Sequence, residues 1–230
     1  MNLNFSILLQ GEYPGLIASS LVMMLELAVL AWILALALGT VLAVIRLSNS
    51  RWAQGAVAAY VEYHQSVPIL VQIFLWYFGI PTLLPQSMQL WFNQHHSEFI
   101  FAFIAIGLCM AAYVSEDLRG GIRSIPKAQL EASRALGMTY LQSCRKVILP
   151  QALRIALPPL VSHTVLLFKN TSLAMTIGVL ELTYVTRQIE SDTFRTTEVY
   201  LFATGVYLAI SLVIMAGGTA LERRYQIKSR

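Results

Sequence analysis

Residues 130–154 read "LEASRALGMTYLQSCRKVILPQALR", a basic stretch lying between two strongly apolar regions. Its pattern divides at Gly137. Pro126 suits the first turn of a helix, and Lys127 to Leu136 continue it. Leu130, Ala135 and Leu136 are free to pack, while Lys127, Gln129, Glu131 and Arg134 stay polar. Gly137 can close this helix, because glycine accepts the left-handed conformation, and Thr139 with Gln142 has the spacing that caps the start of another. The spacing therefore predicts two short helices meeting at a fixed bend. Pro150, Pro158 and Pro159 then limit regular hydrogen bonding on the way into the next apolar run. On pattern alone, an amphipathic surface hairpin without a partner accounts for the stretch equally well.

The rest of the chain decides its setting. Hydrophobic residues make up 57% and charged residues 12%, with a mean hydropathy of +0.63, whereas a soluble domain is about 25% charged. A bilayer is crossed by about 18 or more apolar residues as a helix, and membrane barrels show short alternating segments instead. The long runs here predict an all-α integral membrane protein with five transmembrane helices: Leu16 to Ile45, Ala56 to Ile80, Phe99 to Ser115, Ile155 to Leu182 and Val199 to Leu221. One transmembrane domain is expected over residues 1–230, with the basic hairpin in an inner loop at about 119–154. The first run is too long for a signal peptide and lacks its basic start and small-residue cleavage site, so it is expected to remain as the first span.

Cytoplasmic loops retain Lys and Arg. With the N-terminus outside, the inner segments hold thirteen of the sixteen: Arg46 and Arg51; Arg119, Arg123, Lys127, Arg134, Arg145, Lys146 and Arg154; Arg223, Arg224, Lys228 and Arg230. Only Arg187 and Arg195 fall outside, and Lys169 falls within a span. The net charge of +4 thus reflects topology and gives no reason to expect nucleic acid. Cys109 and Cys144 have no partner spacing for a metal or disulfide and read as structural.

The run Glu131-Ala132-Ser133, then Gly137, then Val147-Ile148-Leu149-Pro150 resembles the EAA loop of permease subunits of binding-protein-dependent ABC importers, whose pattern is EAA, three residues, G, nine residues, I-x-L-P. Ser133 replaces the second Ala and Val147 the Ile. "AAYVSEDLRGGIRSIPKAQLEASRALGM" (111–138), "VPILVQIFLWYFGIP" (67–81) and "LFKNTSLAMTIGVLEL" (167–182) resemble the polar amino-acid branch of that family, and the similarity covers nearly the whole chain. The resemblance implies a multi-pass permease of the bacterial cytoplasmic (inner) membrane, built on the type I importer fold. Its loop would dock on a cytoplasmic ABC ATPase dimer, with Glu131 as the polar docking contact. Ala132 and Ser133 would be small enough for close approach, Gly137 would set the bend, and Leu149 and Pro150 would complete the motif. The chain has no Gly-x-x-x-x-Gly-Lys-Ser/Thr loop. It is therefore expected to be a transport subunit that binds no cofactor itself, with ATP and Mg on the partner ATPase. A periplasmic solute-binding protein would dock over the outer segments near Pro81 to Glu98 and Arg187 to Glu198.

Polar groups that the bilayer would otherwise exclude mark the expected transport path. Lys169 reads as mid-span, about 13 residues from either edge at about 1.5 Å each, too deep to snorkel. It must meet a partner or a cavity, so a ligand for a substrate carboxylate is expected, against a structural ion pair. Asn170, Thr171 and Ser172 follow and can supply hydrogen bonds. The other wall is expected from "YHQSVPILVQ" (63–72), where Pro68 breaks the helical ladder beside Gln65, Ser66 and Leu70. Relatives commonly read R-G-T-P or R-N-V-P here, with the arginine helping to hold the carboxylate, whereas this chain has Gln65, which lacks the charge and two-pronged geometry. Either the substrate is held differently or a sister permease carries the intact site, which favours a heterodimer over a homodimer.

Glu26, Glu62 and Glu181 could line a path, pair with Lys169 or reach an interface. Glu116 and Asp117 fit a solvated helix end, and His95 and His96 lack a third metal ligand. Phe74, Trp76, Tyr77, Phe78, Trp91 and Phe92 fit an interfacial aromatic belt, and Gly107 with Ala111 a close helix contact. Three functions are weighed: an ATP-driven amino-acid importer subunit, an ion-coupled transporter or channel, and a membrane enzyme. The second leaves the EAA spacing unexplained, and no nucleophile, base or metal cluster recommends the third. One lysine without an acidic cluster leans toward an acidic or neutral polar amino acid over a basic one.

Overall fold

A computed structural model describes residues 3–48 and 50–225, all of whose regular elements are helical. After a 3-10 turn at Phe5–Leu9, α1 runs over Tyr13–Arg46 with a proline in its first turn. Met24, Leu27, Ala31, Ala35 and Leu42 form its buried stripe, while Val22, Val29 and Ile33 remain exposed. That exposure suits a helix whose outer surface meets lipid. At 34 residues, α1 spans about 50 Å, more than the roughly 30 Å hydrocarbon core, so it tilts or extends beyond it.

The second expected span is sharply bent. α2 (Arg51–Ser66) begins with the Ser50 hydroxyl accepting from the Ala53 amide, then stops before Pro68. α3 (Ile69–Phe74), a π turn at Leu75–Gly79 and a 3-10 turn at Ile80–Leu83 follow, and the two arms are bent by 107°. The cause is local: a proline rejects the α conformation in the residue before it, and Val67 is extended. The break falls at Pro68, where the helical ladder was expected to fail, inside the span expected over Ala56 to Ile80. α4 (Gln86–Gln94) leads through left-handed His96 into α5 (Ser97–Arg123).

α5 is the central helix and is buried along most of its length. Gly107 lies beneath Leu34, and a Cβ there would come within 2.7 Å of its side chain; Gly39 faces Val114 and the Ala111 carbonyl. The small-residue face predicted around Gly107 and Ala111 is where α1 packs. Toward the end of α5 a Cβ at Gly121 would lie 2.5 Å from the Ala152 carbonyl oxygen, so glycine permits the approach of the helix that carries Ala152.

α6 (Lys127–Ala135) and α7 (Tyr140–Ser143) form the hairpin, and a π turn at Cys144–Ile148 joins α7 to α8 (Leu149–Asn170). α8 continues through Pro158 and Pro159, which remove donors without ending it. It tightens into a 3-10 segment at Thr171–Ile177 and turns at Gly178, whose φ is +94°. Leu182 therefore opens α9 (Leu182–Thr193) and is not the end of the fourth span. α10 (Thr196–Tyr225) completes the described chain, and Lys228 and Arg230 lie outside it. Among the described residues, four helical stretches are long and apolar enough to cross a membrane, or five spans if the bent pair is one.

Candidate coupling hairpin and solute groove

The hairpin closes by two local devices. At the end of α6, Met138 donates to the Ser133 carbonyl and Gly137 to the Arg134 carbonyl, with Gly137 at φ +82°. That is a Schellman motif, which a Cβ at Gly137 would strain. At the start of α7, the Gln142 amide donates to Thr139 Oγ1 at 3.3 Å and the Thr139 amide to Gln142 Oε1 at 2.8 Å. The bend and the capping box both match the spacing of the sequence.

Glu131 and Ala132 are exposed on α6, whereas Ser133 is 4% exposed and donates to the Leu130 carbonyl. Its small side chain serves the inside of the hairpin, a correction to its expected place at a docking face. Leu136, expected to pack, is 81% exposed, beside Tyr140 at 65% and Leu141 at 75%. Apolar side chains gathered at such a bend mark a surface that meets another protein. Leu149 and Pro150 are exposed where α8 begins.

Lys169 stands one residue before the end of α8. It is therefore near the end of its α-helix, which tightens at Thr171 into the 3-10 segment of the same apolar stretch, Tyr140–Ile177. A 3-10 run of seven residues is longer than the usual three or four and marks a strained or mobile joint. Thr171 donates to the Phe168 carbonyl and Ser172 to the Lys169 carbonyl, so both hydroxyls are spent locally as donors and retain only acceptor capacity. Lys169 and Ser172 line an open groove of about 590 Å³ with Tyr200, Thr204, Tyr207 and Ser211 of α10. No carboxylate lies among its lining residues, and Lys169 takes part in none of the ion pairs among the described residues. The hydroxyls of α10 escaped sequence reading, although their three- and four-residue spacing is the signal of a polar stripe.

Gln65, Ser66 and Pro68 are exposed at the bend between α2 and α3, and Leu70 is half-buried. They do not line the Lys169 groove; α3 meets the 3-10 segment at Thr171–Ile177 instead. Asn170 is half-buried and also absent from the groove lining.

Gln72, to which no role was given, holds this bend. Its amide nitrogen donates to the His64 carbonyl at 3.1 Å and the Val67 carbonyl at 2.8 Å, and its oxygen accepts from His64 Nδ1 at 2.6 Å. Both side chains are buried. Leucine at position 72 leaves these groups unpaired at about 1–3 kcal/mol each, partly relieved by relaxation. We expect Gln72→Leu to lower the unfolding temperature of the purified chain by several degrees in a thermal scan.

Most of the other carboxylates singled out in the sequence have local partners. Buried Glu181 caps α9, accepting from the Thr183 and Tyr184 amides at 2.9 and 3.0 Å and from the Tyr207 hydroxyl at 2.8 Å. Exposed Glu62 accepts from Ser66, and Glu26 is exposed on α1. Glu116 pairs with Arg119 and, at 3.8 Å, with Arg46, while Asp117 accepts from His163 Nδ1 at 2.6 Å. These last two link helices, where a solvated terminus was expected. His95 stacks on Trp91 at 4.4 Å.

Residues 35–227 match the family described as the binding-protein-dependent transport system inner membrane component. The chain is similar to the glutamate/aspartate import permease protein GltJ of Escherichia coli strain K12, 33% identical over 219 residues that cover 94% of this chain and 89% of the relative. It is also similar to the arginine transport system permease protein ArgU of Corynebacterium glutamicum, 36% identical over 217 residues, 91% of this chain and 68% of the relative. A crystal structure of an amino acid ABC transporter with histidines superimposes with a TM-score of 0.84 at 29% identity, covering 97% of this chain and 100% of that one. With its hairpin, bent helix pair and apolar spans, the chain belongs to the binding-protein-dependent transport system inner membrane components, as a multi-pass permease subunit.

Proposed function

We propose that this chain is the permease subunit of an ATP-driven importer of a polar amino acid, with an acidic or neutral side chain favoured. The hairpin carries the reading: Glu131 and the exposed Leu136, Tyr140 and Leu141 surround a bend fixed at both ends. Such a rigid, partly apolar knob suits the cleft of a cytoplasmic ABC ATPase dimer, on which ATP and Mg are bound and hydrolysed. The knob sits on the same face as most of the Lys and Arg residues, which supports an outside N-terminus and an inside C-terminus. A periplasmic solute-binding protein then approaches the opposite end.

Lys169 and Ser172, with Asn170 beside them, form the first element of the substrate site, and Gln65, Ser66, Pro68 and Leu70 the second. The cationic groove without carboxylates supports an acidic or neutral solute, as does the similarity to a glutamate/aspartate permease. Similarity to an arginine permease supports the alternative of a basic amino acid. Gln65 in place of arginine favours a heterodimer with a sister permease that retains the arginine.

The test is ATP hydrolysis by the complex that co-purifies with the tagged chain in lipid, with solute-binding-protein extract and acidic, amide or basic amino acids added in turn. Stimulation by the acidic or amide class is expected. Stimulation by the basic class alone overturns the substrate reading, and absence of a co-purifying ATPase overturns the importer reading.

A further inference from the structure

On the face that carries the hairpin, a separate pocket of about 540 Å³ is lined by Arg46, Arg51, Arg119 and Arg123, together with Ser48 and Gln54. Four guanidinium groups come from three places in the fold: the last residue of α1, the first of α2, and the last turns of α5. Like charges so gathered repel one another unless an anion lies among them. Glu116 answers two of them, Arg46 and Arg119. Arg51 and Arg123 are exposed and enter none of the ion pairs among the described residues. The pocket therefore keeps a cationic excess, and none of its lining residues belongs to the hairpin.

We propose that this pocket binds the phosphate headgroup of an anionic phospholipid. Guanidinium forks match phosphate oxygens in pairs, and basic pockets between membrane helices at the cytoplasmic face are suited to such headgroups. The surroundings favour a lipid over a free phosphate. Leu47 lines the pocket and is exposed, Val44 is exposed one turn back along α1, and Trp52, beside Arg51, is 92% exposed. Apolar side chains and a tryptophan next to clustered arginines are what acyl chains and an interface require. The lipid bridges the end of α1 and the start of α2 to the end of α5, immediately ahead of the hairpin.

The test is titration of the full-length chain in detergent with phosphatidylglycerol, read by native mass spectrometry, beside phosphatidylcholine and inorganic phosphate. Arg51→Gln/Arg123→Gln removes two positive charges without breaking an observed ion pair. Arg145→Gln/Lys146→Gln removes the same charge from exposed positions outside the pocket. At about 1 kcal/mol per basic residue near an anionic surface, the pocket double variant should weaken phosphatidylglycerol binding by about 30-fold, and the control should stay within about threefold. Equal losses in the two variants, equal binding of phosphatidylcholine, or displacement of the lipid by millimolar inorganic phosphate each overturn the proposal.

Discussion

Glu131→Arg should reduce substrate-driven uptake in proteoliposomes by about a hundredfold while leaving the chain folded and membrane-inserted. Glu131 is exposed on α6 and enters no ion pair among the described residues, so its replacement removes no observed support from the fold. At a docked interface the outcome differs, because reversing one buried partner leaves like charges facing each other and costs about 2–5 kcal/mol. The hairpin cannot move aside, since the Schellman turn at Gly137 and the box at Thr139 fix both its arms. Recovery of the ATPase with the tagged variant should fall in parallel. Normal recovery and normal uptake would remove Glu131 from the coupling contact.

Lys169→Ala should abolish most of the stimulation of ATP hydrolysis by substrate and binding protein, without loss of assembly. The side chain is exposed on the groove beside α10, so alanine leaves no buried cavity. A hydrogen bond to a charged group contributes about 1.5–3 kcal/mol, which corresponds to a roughly 10- to 150-fold weaker response to substrate. Lys169→Arg, which keeps the charge but alters its shape, should recover part of it. The measurement is the substrate dose response of ATPase activity at saturating binding protein. An unchanged dose response in Lys169→Ala places the recognising group elsewhere, with the sister subunit as the next candidate.

The two sites were unequally legible in the sequence. The hairpin is a local object: Gly137, Thr139 and Gln142 each act on residues within five positions, so spacing alone foretold both its bend and its cap. The groove is not local. It forms because α10 comes to lie against α8, and no period in either segment states that pairing. The end of α8 beside Lys169 was not legible, because an apolar run hides a change from α to 3-10 geometry; Thr171–Ile177 is as hydrophobic as a helix and turns more tightly. Pro68 foretold the break in the second span, but the size of the turn is set by Gln72 reaching back to His64 and Val67. Glu181 is the converse case. A lone acidic residue left a path, a pair with Lys169 or an interface open, and its carboxylate is consumed by a helix start and a tyrosine.

One further consequence lies in the unbroken stretch Tyr140–Ile177. The π turn at Cys144–Ile148 widens the helical coil without interrupting it, so the hairpin's second arm and α8 form a single lever. From Leu149 to Lys169 this lever is about 30 Å long, and a swing of about 10° at its base carries the ammonium group by about 5 Å. That travel exceeds the reach of a hydrogen bond. A small rotation at the hairpin end is thus enough to carry Lys169 out of hydrogen-bonding reach of a group held beside it, and the double proline can change how far the arm swings by flexing, with no new contact made.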